Sequence, residues 1–220
     1  MNLDETLNEL TIKLSDMFKS EKTGHDIGHL LRVLENAKKI QVTEGGDAYV
    51  VFVSALVHDM HRLMQSSLGH YVSPKDSLPM VKEILENCNV DNSKIDQILK
   101  VVEFHEQKSL NGLPLKTQIV QDADALDALG EIGLNRTLKY CKQHNIPVCN
   151  KNIPLDCKEY VPDLTPISTC HYIYRTMIPQ GKNMHTKTAK VMAKEQIDIL
   201  EKFVDEHIKS QNDLNCNKKK

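Results

Sequence analysis

Two adjacent residues, His58 and Asp59, stand where ionisable side chains are costly. They end a strongly apolar run that begins at Tyr49, and burying both groups without compensation would be unfavourable. A bound cation would compensate the carboxylate and use the imidazole lone pair. The His-Asp pair alone is a weak indication, because His25 and Asp26 repeat it and a chain with 10 histidines produces such pairs by chance. Its position after the apolar run is what points to a metal ligand.

Residues 121–127 concentrate three carboxylates, those of Asp122, Asp124 and Asp127. On a helix Asp124 and Asp127 share a face, whereas Asp122 points elsewhere. Like charges at that spacing repel each other, so the pair calls for a counter-ion. A solvent-exposed acidic face is the alternative that these residues leave open.

A third segment places two histidines, His25 and His29, four residues apart. On a helix both would face the same side and could reach one site, although a single histidine is more often a surface or capping residue. Imidazole and carboxylate together suit one divalent ion in open octahedral geometry, such as Mn, Fe, Co, Ni or Mg. The six cysteines lack a C-x-x-C pair, which disfavours a closed thiolate zinc site, and reduced thiols are expected.

Hydrophobic periodicity predicts that helices position these groups. The run 49–57 contains Val-Val-Phe-Val and could be a buried strand, but its length and its helical neighbours favour a helix. A proline-punctuated loop is expected across residues 146–166, bordering the substrate pocket. The predicted helices cover residues 3–20, 25–42, 49–57, 78–88, 93–105, 117–129, 132–143, 167–177 and 186–208. The predicted fold class is therefore all-α.

Length and charge limit the classes of protein. A chain of 220 residues fits one helical domain, expected over residues 1–211 and followed by a flexible tail at 212–220. Its motif-bearing core should lie at about 24–137 and a C-terminal helical extension at about 167–208. The net charge of −2 gives no global attraction to nucleic acid or acidic lipid. No stretch reaches the roughly 18 apolar residues that a membrane helix needs, so we expect a cytoplasmic protein without a membrane partner.

Four segments together resemble the HD-domain phosphohydrolase superfamily: GHDIGHLLRV (24–33), SALVHDM (54–60), VVEFHE (101–106) and QDADALDALGEIGLNRT (121–137). They are most similar to its small stand-alone branch, some members of which are nucleotide pyrophosphohydrolases. The resemblance implies a single-domain helical bundle with the metal site between helices. It also implies the ligands His29, His58, Asp59 and Asp124.

Two departures from the family pattern bear on the substrate rather than on the metal. Ile27 and Gly28 stand where the family often has aromatic residues, and His61 and Arg62 where it often has an acidic residue and a lysine.

The resemblance also suggests roles for neighbouring residues. Catalytic roles are expected of His25, His105 and Asp127, since His105 or Asp127 could orient a water molecule or take its proton. Asp26 and Asp122 are expected to support the ligands from outside the coordination sphere. Phosphate oxygens are expected to meet Arg32, Arg62, Arg175 and Lys182. For each basic residue a solvated side chain is the alternative.

The predicted activity is metal-dependent hydrolysis of a nucleotide or a similar small phosphate compound, with NTP cleaved to NMP and pyrophosphate as the leading reaction. A nucleoside monophosphate phosphatase is the neighbouring alternative, and a non-catalytic nucleotide-binding sensor is an alternative of another class. An RNA- or DNA-binding module is disfavoured, since the sequence has no basic stripe with interleaved aromatic residues. The expected partner is a small phosphate molecule, and a homodimer is compatible with the sequence.

Overall fold

The computed structural model describes residues 2–19, 25–107, 112–150, 152–157 and 167–216. Within these ranges every regular element is helical, which confirms the predicted all-α class. Gly24 and part of the predicted loop at 146–166 lie outside the described residues. The helices are α1 (Leu3–Met17), α2 (Ile27–Glu44), α3 (Ala48–Val57), α4 (Met60–Leu68), a 3-10 turn (Pro74–Ser77), α5 (Leu78–Asn87), α6 (Asn92–Phe104), α7 (Leu115–Asp127), α8 (Gly130–Gln143), α9 (Thr169–Tyr172), a π-helical turn (Ile173–Met177), α10 (Ile178–Lys182) and α11 (Lys187–Cys216).

The ambiguous apolar run forms helix α3, so the preference for a helix over a buried strand is confirmed. All residues from Val50 to Val57 are buried, and a helix that is apolar on every side belongs in the middle of a core. Helix α3 packs against α1, α2 and α6. Asp47 fixes its start, because the side chain accepts a hydrogen bond from the amide of Val50 at 3.2 Å. His58 and Asp59 therefore emerge from the most buried helix of this region.

Helix α4 has no counterpart among the predicted helices. Met60, Leu63, Met64 and Leu68 recur at the helical steps of three and four, so the signal was present but short. The helix ends at Gly69, whose φ of 72° places it in the left-handed region that favours glycine. This element matters for the site, since it begins directly after Asp59.

The chain divides into two compact units, one comprising residues 1–124 and 185–189 and the other residues 125–184 and 190–220. The predicted single domain over 1–211 and its subdivision remain predictions. In the first unit, α2 and α7 are tied by a hydrogen bond from Asn36 to the carbonyl of Ala123 at 3.2 Å. No helix within the described residues is long and apolar enough to cross a membrane.

In the second unit, Gly133 allows α8 to start close to the preceding turn. A Cβ on Gly133 would lie 2.0 Å from the carbonyl oxygen of Ala128, which no side chain can tolerate. The same unit contains a disulfide between Cys149 and Cys170, so the expectation of reduced thiols is wrong for that pair. Backbone bonds from Thr169 and Cys170 to residues 147–148 hold the same two segments together.

Candidate metal centre

Three segments of the first unit bring His29, His58, Asp59 and Asp124 together. His29 lies in the first turn of α2, and its amide donates to the N-cap side chain of Asp26 at 2.9 Å. His58 and Asp59 occupy the turn between α3 and α4, and Asp124 lies on α7. The first three are almost fully buried, and the Asp124 side chain is about one-third exposed.

The two imidazole nitrogens lie close to each other and to an oxygen of each carboxylate. The Nε2 atoms of His29 and His58 are 3.3 Å apart. His29 Nε2 lies 3.2 Å from Asp59 Oδ2 and 3.4 Å from Asp124 Oδ1. His58 Nε2 lies 3.6 Å from Asp59 Oδ2 and 3.8 Å from Asp124 Oδ1. Neighbouring ligands of an ion bound at about 2.1 Å are about 3 Å apart, so this arrangement is close to a coordination sphere.

The tautomer of His58 leaves a lone pair for an ion. Its Nδ1 lies 2.8 Å from the carbonyl oxygen of Ala55, and a carbonyl can only accept, so Nδ1 carries the proton when the ring is neutral. Nε2 is then an unprotonated nitrogen that faces His29 and the carboxylates. Such backbone contacts orient metal-binding imidazoles in many proteins.

The carboxyl group of Asp59 is held in its ionised form. Burial acts to raise its pKa, but the neighbouring His58, together with His105, His25 and His29, holds that pKa well below its usual value. The contact with His25 is the shortest, with Nδ1 2.6 Å from Oδ2. A buried carboxylate surrounded by imidazoles is the donor set that a divalent cation requires.

Asp124 is ionised for a related reason. Burial opposes the charge, but His58 and then His29 lower the pKa of this carboxyl to about 2. Both predicted carboxylate ligands are therefore charged at neutral pH in the metal-free protein.

His105, predicted to be catalytic, lies on the other side of Asp59. It follows α6 directly, and its Nδ1 donates to the carbonyl of Val102 at 2.7 Å. Its Nε2 is 3.8 Å from Asp59 Oδ1, too far for a hydrogen bond, and it has no hydrogen-bond partner. Burial disfavours the charged ring, but the Asp59 carboxylate outweighs it and raises the pKa of His105.

Two residues absent from the predicted site, His61 and Glu106, join this second side. His61 is fully buried, with Nε2 3.3 Å from Glu106 Oε1 and Nδ1 3.9 Å from Asp59 Oδ1. Arg62, predicted to bind phosphate, hydrogen-bonds Glu106 through Nη2, and its Nε lies 3.7 Å from Asp59 Oδ1. His61 was named only as a departure from the family pattern, and nothing in the sequence links it to Glu106.

Arg32 and Asp26 lie beside Gly28 at the start of α2. A Cβ on Gly28 would be 3.1 Å from Asp26 Oδ1 and 3.2 Å from Arg32 Nη1. The small residue therefore leaves room for the guanidinium of Arg32 next to the N-cap carboxylate. The basic group lies one helical turn from His29, and its phosphate-binding role remains a prediction.

Asp122 is turned away from the ligand point, as its two-residue offset from Asp124 requires. Its Oδ1 accepts from the amide of His185 at 2.8 Å, and its Oδ2 accepts from the amide and hydroxyl of Thr186 at 2.8 and 2.7 Å. The Thr186 hydroxyl in turn accepts from the amide of Ala189 at 3.2 Å. These contacts favour a structural role at the start of α11, and support of the metal ligands remains a prediction.

Three of the predicted site residues belong to the second unit. Asp127 is buried and its Oδ2 accepts from Arg136 Nη1 at 2.9 Å. Lys182 Nζ contacts Glu201 Oε1 at 2.7 Å. Arg175 is half-buried in the π-helical turn. Their roles towards water or phosphate remain predictions.

Several known proteins are similar to this chain in sequence or in fold. Residues 26–129 match the family model of the HD domain. YpgQ of Bacillus subtilis strain 168 is 26% identical over 198 residues, which span 87% of this chain and 86% of YpgQ. The structure of Lin1889 from Listeria innocua is 28% identical, with a TM-score of 0.70, and covers 93% of this chain and 94% of its own. An HD-superfamily hydrolase of Bacillus thuringiensis is 23% identical with a TM-score of 0.76, covering 96% and 99%.

The chain contains an HD domain at residues 26–129, and its helical fold is similar to that of an HD-superfamily hydrolase. HD domains bind divalent metals, and the described residues contain His/Asp groups able to hold one. The structure of YpgQ in complex with ADP superposes with a TM-score of 0.75 at 20% identity, over 96% of this chain and 97% of YpgQ.

Proposed function

We propose that this chain is a divalent-metal-dependent phosphohydrolase of nucleotides or similar small phosphate compounds, with the metal held by His29, His58, Asp59 and Asp124. The observation that carries the proposal is that two imidazole nitrogens lie 3.3 Å apart and each lies 3.2 to 3.8 Å from an oxygen of both ionised carboxylates. Two imidazole nitrogens 3.3 Å apart, each beside two carboxylate oxygens, form a donor set for a cation. Mn, Mg, Co, Ni and Fe all accept such ligands.

When bound, a divalent cation lowers the pKa of a coordinated water molecule, polarises phosphoryl oxygens and neutralises the charge that develops on them. The protein's own residues set the conditions for that chemistry. His58 and His105 are oriented by the carbonyls of Ala55 and Val102. His25 lies at the more exposed edge of the cluster, with 28% of its side chain accessible and Nδ1 2.6 Å from Asp59 Oδ2. The raised pKa of His105 suits it to hold a proton near neutral pH.

A nucleotide is the proposed substrate because YpgQ, a relative of similar length, has been crystallised with ADP. Arg32, on the helix that carries His29, is the basic group proposed to meet its phosphates. The leading reaction is cleavage of NTP to NMP and pyrophosphate. A nucleoside monophosphate phosphatase would use the same centre and release inorganic phosphate.

The test is a nucleotide screen with Mn, Mg, Co and Ni in which phosphate and pyrophosphate are quantified separately. We expect turnover that depends on added metal, with pyrophosphate as the released product. His58→Asn should abolish turnover, because it removes Nε2, the nitrogen that the hydrogen bond from Nδ1 to the Ala55 carbonyl directs towards the proposed ion. His70→Asn is the matched control, since His70 is exposed.

Different outcomes separate the candidate activities. Phosphate release from monophosphates alone would identify the phosphatase. Binding of metal and nucleotide without turnover of any substrate would identify a sensor. Metal-independent turnover, or full activity in His58→Asn, would refute the proposed centre.

A further inference from the structure

We infer that Gln121 is a positioning residue of the proposed centre. From helix α7 its side-chain amide holds the turn that follows α6, and this turn carries His105 and Glu106. The inference rests on the proposed function, because His105 is part of the centre proposed there. The described contacts of the Gln121 side chain are with that turn and with His185, so it acts through other residues.

The end of α6 leaves backbone carbonyls that need donors. The last four carbonyl oxygens of a helix have no partner within it, and many helices satisfy some of them through a residue of positive φ after the last turn. Neither His105 nor Glu106 has a positive φ. The amide of Gln107 donates to the carbonyl of Phe104 at 3.0 Å, which closes the turn only from within. A donor from another helix therefore adds a constraint that the turn lacks.

Gln121 supplies that donor at both ends of the turn. Its Nε2 donates to the carbonyl of Phe104 at 2.8 Å and to the carbonyl of Gln107 at 3.1 Å. These two residues flank His105 and Glu106 in the sequence. One NH2 group with two hydrogens thus fixes both ends of the segment that carries the two side chains.

The other end of the Gln121 amide is fixed by His185. Gln121 Oε1 accepts a hydrogen bond from His185 Nε2 at 2.6 Å, because an amide oxygen can only accept. The backbone amide of His185 in turn donates to Asp122 Oδ1 at 2.8 Å. The opposite orientation of the Gln121 amide would place its oxygen against two carbonyls. A single orientation therefore satisfies all three contacts of this side chain.

His105 depends on this support because its own contacts fix it only in part. Its Nδ1 donates to the Val102 carbonyl at 2.7 Å, whereas its Nε2 makes no hydrogen bond. The position of Nε2, 3.8 Å from Asp59 Oδ1, thus follows from the backbone of the turn. Gln121 lies about one helical turn before Asp124 on α7. The same helix therefore holds a proposed metal ligand and the turn that carries His105.

The test compares Gln121→Glu and Gln121→Met with Gln143→Glu, the matched control, since Gln143 is an exposed glutamine on α8. Gln121→Glu keeps an acceptor for His185 but points a carboxylate oxygen at two carbonyls. Gln121→Met lacks the donors without adding charge, and it decides the matter if Gln121→Glu does not fold. Both should lower kcat at least about tenfold, because a displacement of about 1 Å can reduce a rate about 100-fold. KM and metal content should stay close to those of the unmodified protein.

A readout in the metal-free protein does not depend on turnover. In EDTA, with isotope-labelled histidine, the nuclear magnetic resonance signals of the His105 ring should shift in both Gln121 variants. They should stay unchanged in Gln143→Glu, and His105→Gln identifies them by their loss. Hydrogen exchange of the amides of residues 105–107 should be faster in the Gln121 variants, because the turn has lost its external donor.

The effect on kcat should also disappear when His105 is absent. In a His105→Gln background, Gln121→Met should lower kcat little further, because substitutions of residues that act through one another are not additive. A role in general stability would instead lower kcat by the same factor in both backgrounds.

Unchanged kcat or unchanged His105 signals in both Gln121 variants would overturn the inference. Equal losses of kcat with and without His105 would overturn it too, since Gln121 would then act by another route. If the unmodified protein turns over no nucleotide, the proposed function fails by itself. The His105 signals still test the positioning role in that case, since shifted signals support it and unchanged signals overturn it.

Discussion

Asp122 and Asp124 lie two residues apart, and their different surroundings predict opposite effects of the same substitution. The Asp122 carboxylate accepts three hydrogen bonds, two on Oδ2 from Thr186 and one on Oδ1 from the His185 amide. Asp122→Asn replaces one acceptor oxygen with an NH2 group that faces existing donors. Whichever way the amide turns, at least one buried donor loses its acceptor.

The magnitude follows from those contacts. Hydrogen bonds to a charged group contribute about 1.5–3 kcal/mol each, and an unsatisfied buried donor costs about 1–3 kcal/mol. We therefore expect the free energy of unfolding to fall by about 2–4 kcal/mol in Asp122→Asn. For a chain of this size that corresponds to a decrease in Tm of roughly 4–16 °C. Metal content should stay near that of the unmodified protein.

Asp124→Asn should show the reverse pattern. Its Oδ1 lies near the imidazole nitrogens of His29 and His58 and makes no hydrogen bond comparable to those of Asp122. Because the contacts described for Asp124 include none of the amide and hydroxyl donors that Asp122 has, the Tm without metal should fall less than in Asp122→Asn. Tight metal binding and turnover should be lost, because an amide oxygen is a much weaker ligand than a carboxylate.

The assay measures metal content by elemental analysis and Tm in EDTA at pH 8 for both variants. Metal loss in Asp122→Asn together with retention in Asp124→Asn would refute the ligand assignment. A normal Tm in Asp122→Asn would refute the structural role of its three hydrogen bonds.

Three further outcomes are expected. Chelation by EDTA should lower the Tm of the unmodified protein, since an ion that binds only the folded state stabilises it. It should leave the Tm of His58→Asn unchanged. Equal shifts in the two proteins would contradict the assignment of His58 as a metal ligand. Metal affinity, measured by titration calorimetry, should fall as the pH is lowered, because protons compete for ligand imidazoles before they protonate a carboxylate held in its ionised form. Since the pKa of Asp124 is lowered to about 2, a loss that began only below pH 4 would contradict this order. Gly133→Ala should lower Tm strongly through the clash with Ala128, whereas Ala at the exposed Asn135 of the same helix should not.

The all-α class and the main helices could be predicted because their apolar residues recur at helical spacing over long stretches of sequence. The run that forms α3 was ambiguous in isolation, and only its length and neighbours distinguished a buried helix from a strand. Helix α4 was missed because nine residues with four apolar positions give a short pattern. The proposed ligands came from the order of four motifs, since no single motif is specific.

The contacts of His61 and Glu106 could not be predicted, because they depend on how the end of α6 meets the start of α4. Sequence analysis could place His61 after the His-Asp pair, but not opposite a carboxylate from a different helix. The partners of Asp122 were equally hidden, since His185 and Thr186 lie more than sixty residues along the chain. Tertiary contacts of this kind leave no local pattern.

The acidic segment 121–127 shows why a cluster of like charges need not be one functional patch. Successive helical residues rotate by about 100°, so Asp122 and Asp124 face different directions. Asp122 is compensated by two backbone amides and a hydroxyl, and Asp127 by the guanidinium of Arg136. The contacts described for Asp124 Oδ1 are instead with the imidazole nitrogens of His29 and His58, which can also bind a metal ion. Of the three carboxylates, Asp124 is therefore the one whose neighbours form a ligand set with it.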